Sequence, residues 1–322
     1  MADITAAARP IRVGISACLL GREVRFDGGH KRDPFLTDTF GRFVEWVPVC
    51  PEVEAGFGTP RESMRLVRTD GRIRLLTNRT ARDVTATLDD YVERRVAELA
   101  AAGLSGYVLK KDSPSCGMAR VKVYDANDVP ERTGRGRFAA ALLDRLPDLP
   151  VEEEGRLSDA RLRESFVDRV YACWRLRGLF EAPWTIGSLV RFHTAYKLIL
   201  MAYSPQAYRE IGRLVADAAS MPPDDLRRQY THALMAALSR PATRRRHTNV
   251  LQHMAGYFKQ AIEPASKAEL AASIEEYRLG LVPLIVPITL IRHHVRACGV
   301  QYLAGQLYLD PHPRELMLRN HV

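Results

Sequence analysis

The 322-residue chain is 46% hydrophobic and 26% charged, with a formal charge of +9. That composition excludes a disordered or fibrous protein and is long enough for two domains, each with its own core. Five widely spaced cysteines, an odd number, exclude a disulfide framework and favour thiolate chemistry. The charge is uneven, with 24 Lys/Arg against 21 Asp/Glu in residues 1–150 and 23 against 17 beyond them. A basic second half suits a polyanionic partner. Residues 1–8 lack a basic start followed by an apolar core, so no secretory signal is expected. Leu279 to Ile291, the most apolar stretch, is too short to span a bilayer and is broken by Pro283 and Pro287. We therefore expect a cytoplasmic protein without membrane contact or an obligate protein partner.

In chain order, residues 11–18 read as a strand running into Ser16-Ala17-Cys18-Leu19-Leu20-Gly21. A polar loop from Arg22 to Lys31 carries Gly28-Gly29, which permits close approach to a ligand. A helix is expected from Pro34 to Gly41 and a second strand from Trp46 to Cys50. Prolines and glycines between Pro51 and Glu62 predict a loop rather than a helix. Ile73 to Leu76 reads as a short strand. Asp83 to Ala102 reads as a helix with Val84, Leu88, Tyr91, Val92, Val96 and Leu99 on one stripe, stopped by Gly103. Gly106 to Leu109 is a buried strand that breaks into Lys110-Lys111-Asp112-Ser113-Pro114-Ser115-Cys116-Gly117. Gly134 to Arg137 leads into a helix over Phe138 to Leu146.

Strands alternating with helices predict a Rossmann-like, three-layer α/β domain with a parallel sheet. The boundary falls in Pro147 to Leu157, at the acidic run Glu152-Glu153-Glu154, giving domains 1–154 and 155–322. Beyond it, helical periodicities over 158–178, 187–203, 205–219, 224–239, 243–262, 266–279 and 284–298 predict an all-α domain. No internal repeat is visible.

Cys18, Cys50 and Cys116 each follow a candidate strand. Parallel strands would bring all three to one sheet edge, where open α/β sheets bind ligands. No Cys-x-x-Cys pair is present, which excludes zinc ribbons and ferredoxin-type runs by pattern. Small buried hydrophobes are the bland alternative for free cysteines. Their Gly, Pro, Ser and Glu neighbours favour chemistry over packing. Cys173 and Cys298, in or at the end of helices, read as packing residues.

Ser16-Ala17-Cys18-Leu19-Leu20-Gly21, Val49-Cys50-Pro51-Glu52-Val53, Gly58-Thr59-Pro60-Arg61 and Ser113-Pro114-Ser115-Cys116-Gly117 resemble, in order and approximate spacing, the motifs of the thiouracil desulfidase family. The resemblance implies that Cys18, Cys50 and Cys116 hold a [4Fe-4S] cluster with one iron free of protein ligands. It also implies that Glu52, Ser113 and Ser115 are the catalytic candidates. Chemically, an open iron is a Lewis acid with an affinity for sulfur. Glu52 would activate water, and a serine would bond the substrate or a cluster sulfur. Glu54, Lys110 and Asp112 read as solvated charges instead.

Eight of nine histidines lie beyond residue 190. His193 and Lys197 are four apart, and Asn249, His253 and Tyr257 share a helix face. Thr243 caps a helix opening with Arg244, Arg245 and Arg246, a pattern that fits either a phosphate site or a solvated basic turn. His193 to Ala202, Asn249 to Phe258 and Pro283 to Pro287 resemble the YbgA-like domain, with Tyr203 where that pattern leads us to expect histidine. The two resemblances together resemble bacterial tRNA 4-thiouridine desulfidases. They imply a non-redox desulfidase whose helical domain binds tRNA, with His193, Lys197, Arg244, Arg245, Arg246, Asn249, His253 and Tyr257 as candidate contacts. The alternatives are a desulfidase of free thiouracil or thiouridine, or a non-catalytic RNA-binding protein with structural or zinc-bound cysteines. A sulfur-inserting enzyme is disfavoured because no P-loop signature is present.

Overall fold

A computed structural model describes residues 9–181 and 183–321. The chain divides into two compact units, one over Arg9–Ser158 and one from Asp159 onward. The first contains β1 (Arg12–Ser16), β2 (Glu45–Val49), β3 (Met64–Thr69), β4 (Arg72–Thr77), α1 (Thr85–Ala101), β5 (Gly106–Leu109), β6 (Val121–Tyr124), β7 (Pro130–Gly134), α2 (Arg137–Arg145) and β8 (Val151–Glu153).

Four of these strands form the parallel sheet β2-β1-β5-β8, whose central strand β5 is buried throughout. Such a strand reads as a continuous apolar run because helices and loops cover both faces. Successive strands lie first on one side of β1 and then on the other. The switch point of the sheet is therefore at the carboxyl ends of β1 and β5. Helix α1 buries Leu88, Val92, Val96 and Leu99. Its first turn is held by the Asp83 carboxylate, which accepts the Thr85 N–H at 2.9 Å.

The expected single sheet is incomplete. A second, mixed sheet, β4-β3-β6-β7, holds the strand anticipated at Ile73 to Leu76, and β7 runs antiparallel to β6 instead of opening a βα unit of the main sheet. Asp70-Gly71, both with positive φ, make the β3–β4 turn. That dipeptide is the strongest short hairpin signal. The helix expected over Pro34 to Gly41 is two short turns, Phe35–Thr39 and Phe40–Arg42. Conversely, 51–57 is helical where a loop was expected, because Pro51 suits a first helical turn and the glycines only terminate it.

The second unit is all-helical: α3 (Ala160–Glu181), α4 (Ile186–Tyr203), α5 (Pro205–Ala216), α6 (Pro223–Ala237), α7 (Arg244–Ala255), α8 (Pro264–Leu279), α9 (Ile285–Cys298) and the short α10 (Gln301–Ala304). All seven anticipated helices are present with shifted ends, several set by caps at Thr185, Ser204 and Thr243. No helix among the described residues is long and apolar enough to cross a membrane.

Among the described residues of this unit, His193, His247, His294 and His312 are buried. His193 shares a hydrogen bond with the Tyr230 hydroxyl at 3.3 Å, and His247 with the Tyr308 hydroxyl at 2.7 Å. Burial lowers their pKa values to about 4 and about 3. Between these values and the unfolded value near 6.5, the unfolded chain binds protons that the folded chain refuses. Their contribution to stability is thus present above pH 6.5 and lost as pH falls toward 4. In an NMR titration, neither ring is expected to protonate above pH 5. In the first unit, a Cβ at Gly14 would collide with the buried Tyr107 ring. Gly14→Ala is expected to cost about 1–3 kcal/mol by overpacking. The loss should register as faster amide exchange across β1 and β5.

Candidate metal centre and active site

Strands β1, β2 and β5 end together, since Ser16 pairs with Val49 and Ile15 with Val108. Cys18 lies two residues past β1, Cys50 one past β2 and Cys116 seven past β5. All three line one cavity of about 360 Å³, together with Arg25, Glu52, Arg61, Lys110 and Ser113. Cys18 and Cys116 are buried and Cys50 is half-buried.

Each cysteine loop is clamped. The Cys18 carbonyl accepts the Lys31 N–H at 2.9 Å. The Cys50 N–H donates to Glu54 Oε1 at 2.8 Å, while the other Glu54 oxygen takes the Tyr91 hydroxyl and lies 3.5 Å from Arg95. Ser113 Oγ accepts the Ser115 and Cys116 N–H groups at 3.2 and 3.1 Å. The Pro114 and Ser115 carbonyls receive the first amides of α2, which would otherwise lack partners. At Gly136 a Cβ would sit 2.5 Å from the Ser115 carbonyl, so the approach of loop to helix needs glycine there. The acidic run at which the domain boundary was expected also belongs to this frame. Glu153 accepts the Met118 N–H at 2.7 Å, and Glu154 binds Lys110 Nζ at 2.6 Å and the Lys111 N–H at 2.8 Å.

The cavity disfavours bare thiolates. Burial, then Cys50, pushes Cys18 up to about 11 against Lys110 and Arg25. Burial also raises Cys50 and Cys116; at Cys116, Glu52 adds to the rise and a hydrogen bond with Ser16 opposes it. Three thiolates are stable together here only around a positive centre, which is the chemistry of a soft metal group. A cubane cluster takes each thiolate on a different iron, and three thiolates from three separate loops are a donor set that fits such a cluster with one iron left without a protein ligand.

Glu52 reaches the cavity from 51–57. Its Oε2 accepts Arg61 Nε at 2.9 Å and Nη2 at 2.5 Å, and its Oε1 accepts the Ser115 hydroxyl at 2.9 Å. Ser113 lines the cavity, whereas Ser115 is fully buried behind Glu52 and does not. Of the two serines the sequence named as catalytic candidates, the structure places Ser113 on the cavity wall and Ser115 off it, bonded to Glu52. Two participants were overlooked in the sequence although both sit inside quoted motifs: Arg61, and Ser16, whose hydroxyl accepts the Lys110 N–H at 3.0 Å and bonds the Cys116 sulfur. Lys110 is no surface charge, being largely buried against Glu154. Asp112 is one, exposed and 3.2 Å from Arg132.

The helical-unit candidates do not form one site. His193 is 4% exposed and faces the core, with half-buried Lys197 helping to keep it neutral. Arg244 lies over the Tyr277 ring, Arg246 Nη1 donates to the Tyr203 carbonyl at 2.7 Å, and only Arg245 of the three is exposed. The reason is helical geometry: consecutive residues point about 100° apart, so a run of three cannot share a face. Asn249, His253 and Tyr257, spaced by four, do present one exposed row, with Tyr257 stacked on Tyr302 at 5.3 Å.

Comparison with known proteins agrees with this division. The family described as 2-thiouracil desulfurase matches residues 13–154, and the family described as protein of unknown function DUF1722 matches residues 197–313. YbgA of Escherichia coli K12, called uncharacterized, is 38% identical over half of this chain and 95% of its own length. YbbK of Bacillus subtilis 168, also called uncharacterized, is 36% identical over 32% of this chain and 71% of its own. A solved structure, the [4Fe-4S]-dependent thiouracil desulfidase TudS, is 32% identical, covers 48% of this chain and 97% of itself, and superposes with a TM-score of 0.39. The enzyme class expected from the sequence, a desulfidase, is the class the first family names. The chain belongs through its first unit to the 2-thiouracil desulfurase family and through its second to the family of YbgA.

Proposed function

We propose that the protein is a non-redox desulfidase that converts 4-thiouridine in tRNA to uridine, working in the cytoplasm. The single observation that carries the desulfidase reading is the meeting of Cys18, Cys50 and Cys116 in one cavity with Glu52 and Ser113. These cysteines would hold a [4Fe-4S] cluster, which when bound supplies an iron without a protein ligand as a Lewis acid for the thiocarbonyl sulfur. The chain's own groups do the rest. Glu52, paired with Arg61, accepts a proton from water at Oε1. The Ser113 hydroxyl, on the cavity wall, orients the pyrimidine. Water oxygen replaces sulfur, so that thiocarbonyl and water become carbonyl and hydrogen sulfide. No oxidation state changes and no electron donor is required.

The tRNA reading is supported by the basic balance of the second half and by the exposed row Asn249, His253 and Tyr257, whose aromatic rings suit unstacked bases. A cavity of about 360 Å³ admits a pyrimidine and no duplex, so the base must leave its stack. Free 4-thiouracil is the second reading, favoured by that same small volume.

Anaerobically reconstituted full-length protein is expected to release sulfide from thiolated tRNA. Release from free 4-thiouracil but not from tRNA would select the second reading, and release from neither would end both. Cys116→Ala is expected to lose iron and activity together, as read by metal analysis and sulfide assay. Glu52→Gln should keep its iron yet lose about 100-fold or more in kcat. With Arg245 as the exposed member of its run, Arg245→Ala should lower the slope of log affinity for tRNA against log salt by about one, in filter binding across a salt series.

A further inference from the structure

We infer that Glu52 works through a single open acceptor position on Oε1, and that Arg61 and Ser115 are positioning residues that close the other three. This rests on Glu52 being the base of the proposed reaction and assigns how its direction is set. An ionised carboxylate offers about four lone-pair positions, two on each oxygen. Arg61 Nε and Nη2 fill both on Oε2, at 2.9 and 2.5 Å, and the Ser115 hydroxyl fills one on Oε1 at 2.9 Å. One remains, on the oxygen of a residue that lines the cavity with the three cysteines.

The frame around this carboxylate is rigid. The side chains of Arg61 and Glu52 are 7% and 13% exposed, so water does not compete for their contacts. Arg61 is itself held on its far side, where Nη1 donates to the Val24 carbonyl at 3.0 Å and the Gly58 carbonyl at 2.9 Å. Ser115, fully buried, is fixed by the α2 amides on its own carbonyl. A guanidinium that grips one carboxylate oxygen with two N–H groups does what an ammonium cannot, because its planar fork sets orientation as well as charge. The inference also separates the two serines of Ser113-Pro114-Ser115-Cys116: Ser113 faces the reacting molecule, and Ser115 acts only through Glu52.

The test is a pair of double-mutant cycles on cluster-loaded, full-length protein, with iron content, kcat and KM measured for each variant. Arg61→Met is expected to lower kcat by about 30- to 100-fold with KM within about threefold and iron unchanged, and added guanidinium should restore part of the loss. Arg61→Lys should recover less than the guanidinium does. Ser115→Ala should lower kcat by roughly 3- to 10-fold. If both act through Glu52, neither substitution lowers the rate further in a Glu52→Gln background. Losses that multiply in that background, or iron lost in step with activity in Ser115→Ala, would overturn the inference. A fully active Glu52→Gln protein would instead remove the base from the proposed reaction, which is a distinguishable result.

Discussion

Bringing three cysteine sulfurs into one desolvated cavity is unfavourable for the protein alone, because burial and mutual repulsion both oppose their ionisation. The fold imposes the arrangement through strand register. With Ser16 opposite Val49 and Ile15 opposite Val108, the loops that follow β1, β2 and β5 have no choice but to leave the sheet side by side. A slip of one residue in any pairing would turn a strand's side chains to the opposite face and carry its cysteine away from the others. The main-chain hydrogen bonds of a buried parallel sheet therefore hold the site together before any side chain contributes.

Carboxylates then divide the remaining work, and their partners tell them apart. Glu54, Glu153 and Glu154 accept backbone amides of Cys50, Met118 and Lys111, pinning the loops that carry the sulfurs. Glu52 alone binds only side chains, and of this set it alone lines the cavity. Glu54, Glu153 and Glu154 each hold at least one main-chain amide, whereas Glu52 is held by side chains and leaves part of its Oε1 uncommitted.

The helical unit spends its polar groups differently. Glu164 and Arg319 form a buried pair at 3.2 Å, and the Tyr203 hydroxyl donates to Asp168 at 2.8 Å. Tyr203, which stands where a histidine was expected, thereby has a structural partner in this chain, and its carbonyl receives Arg246. Such contacts withdraw several charged and histidine side chains from the surface. Of the candidate contacts the sequence singled out in this unit, those left exposed are Arg245 on α7 and the row Asn249, His253 and Tyr257.

Amino-acid order alone determined the larger features. Apolar runs at 11–15 and 106–109 marked the central strands, a 3.6-residue stripe marked α1, and helical periodicities marked the helices after residue 158. The three cysteines and Glu52 were legible because they sit in short motifs whose residue types suit loops. Tertiary structure decided what depends on distance in space. It sent Ser115 behind Glu52, made Arg61 a partner at nine residues' separation, turned Glu153 and Glu154 from boundary residues into clamps, and split three adjacent arginines among three environments. The reason is physical: periodicity reports which face of an element is buried, but a hydrogen-bond partner across the fold leaves no trace in local spacing.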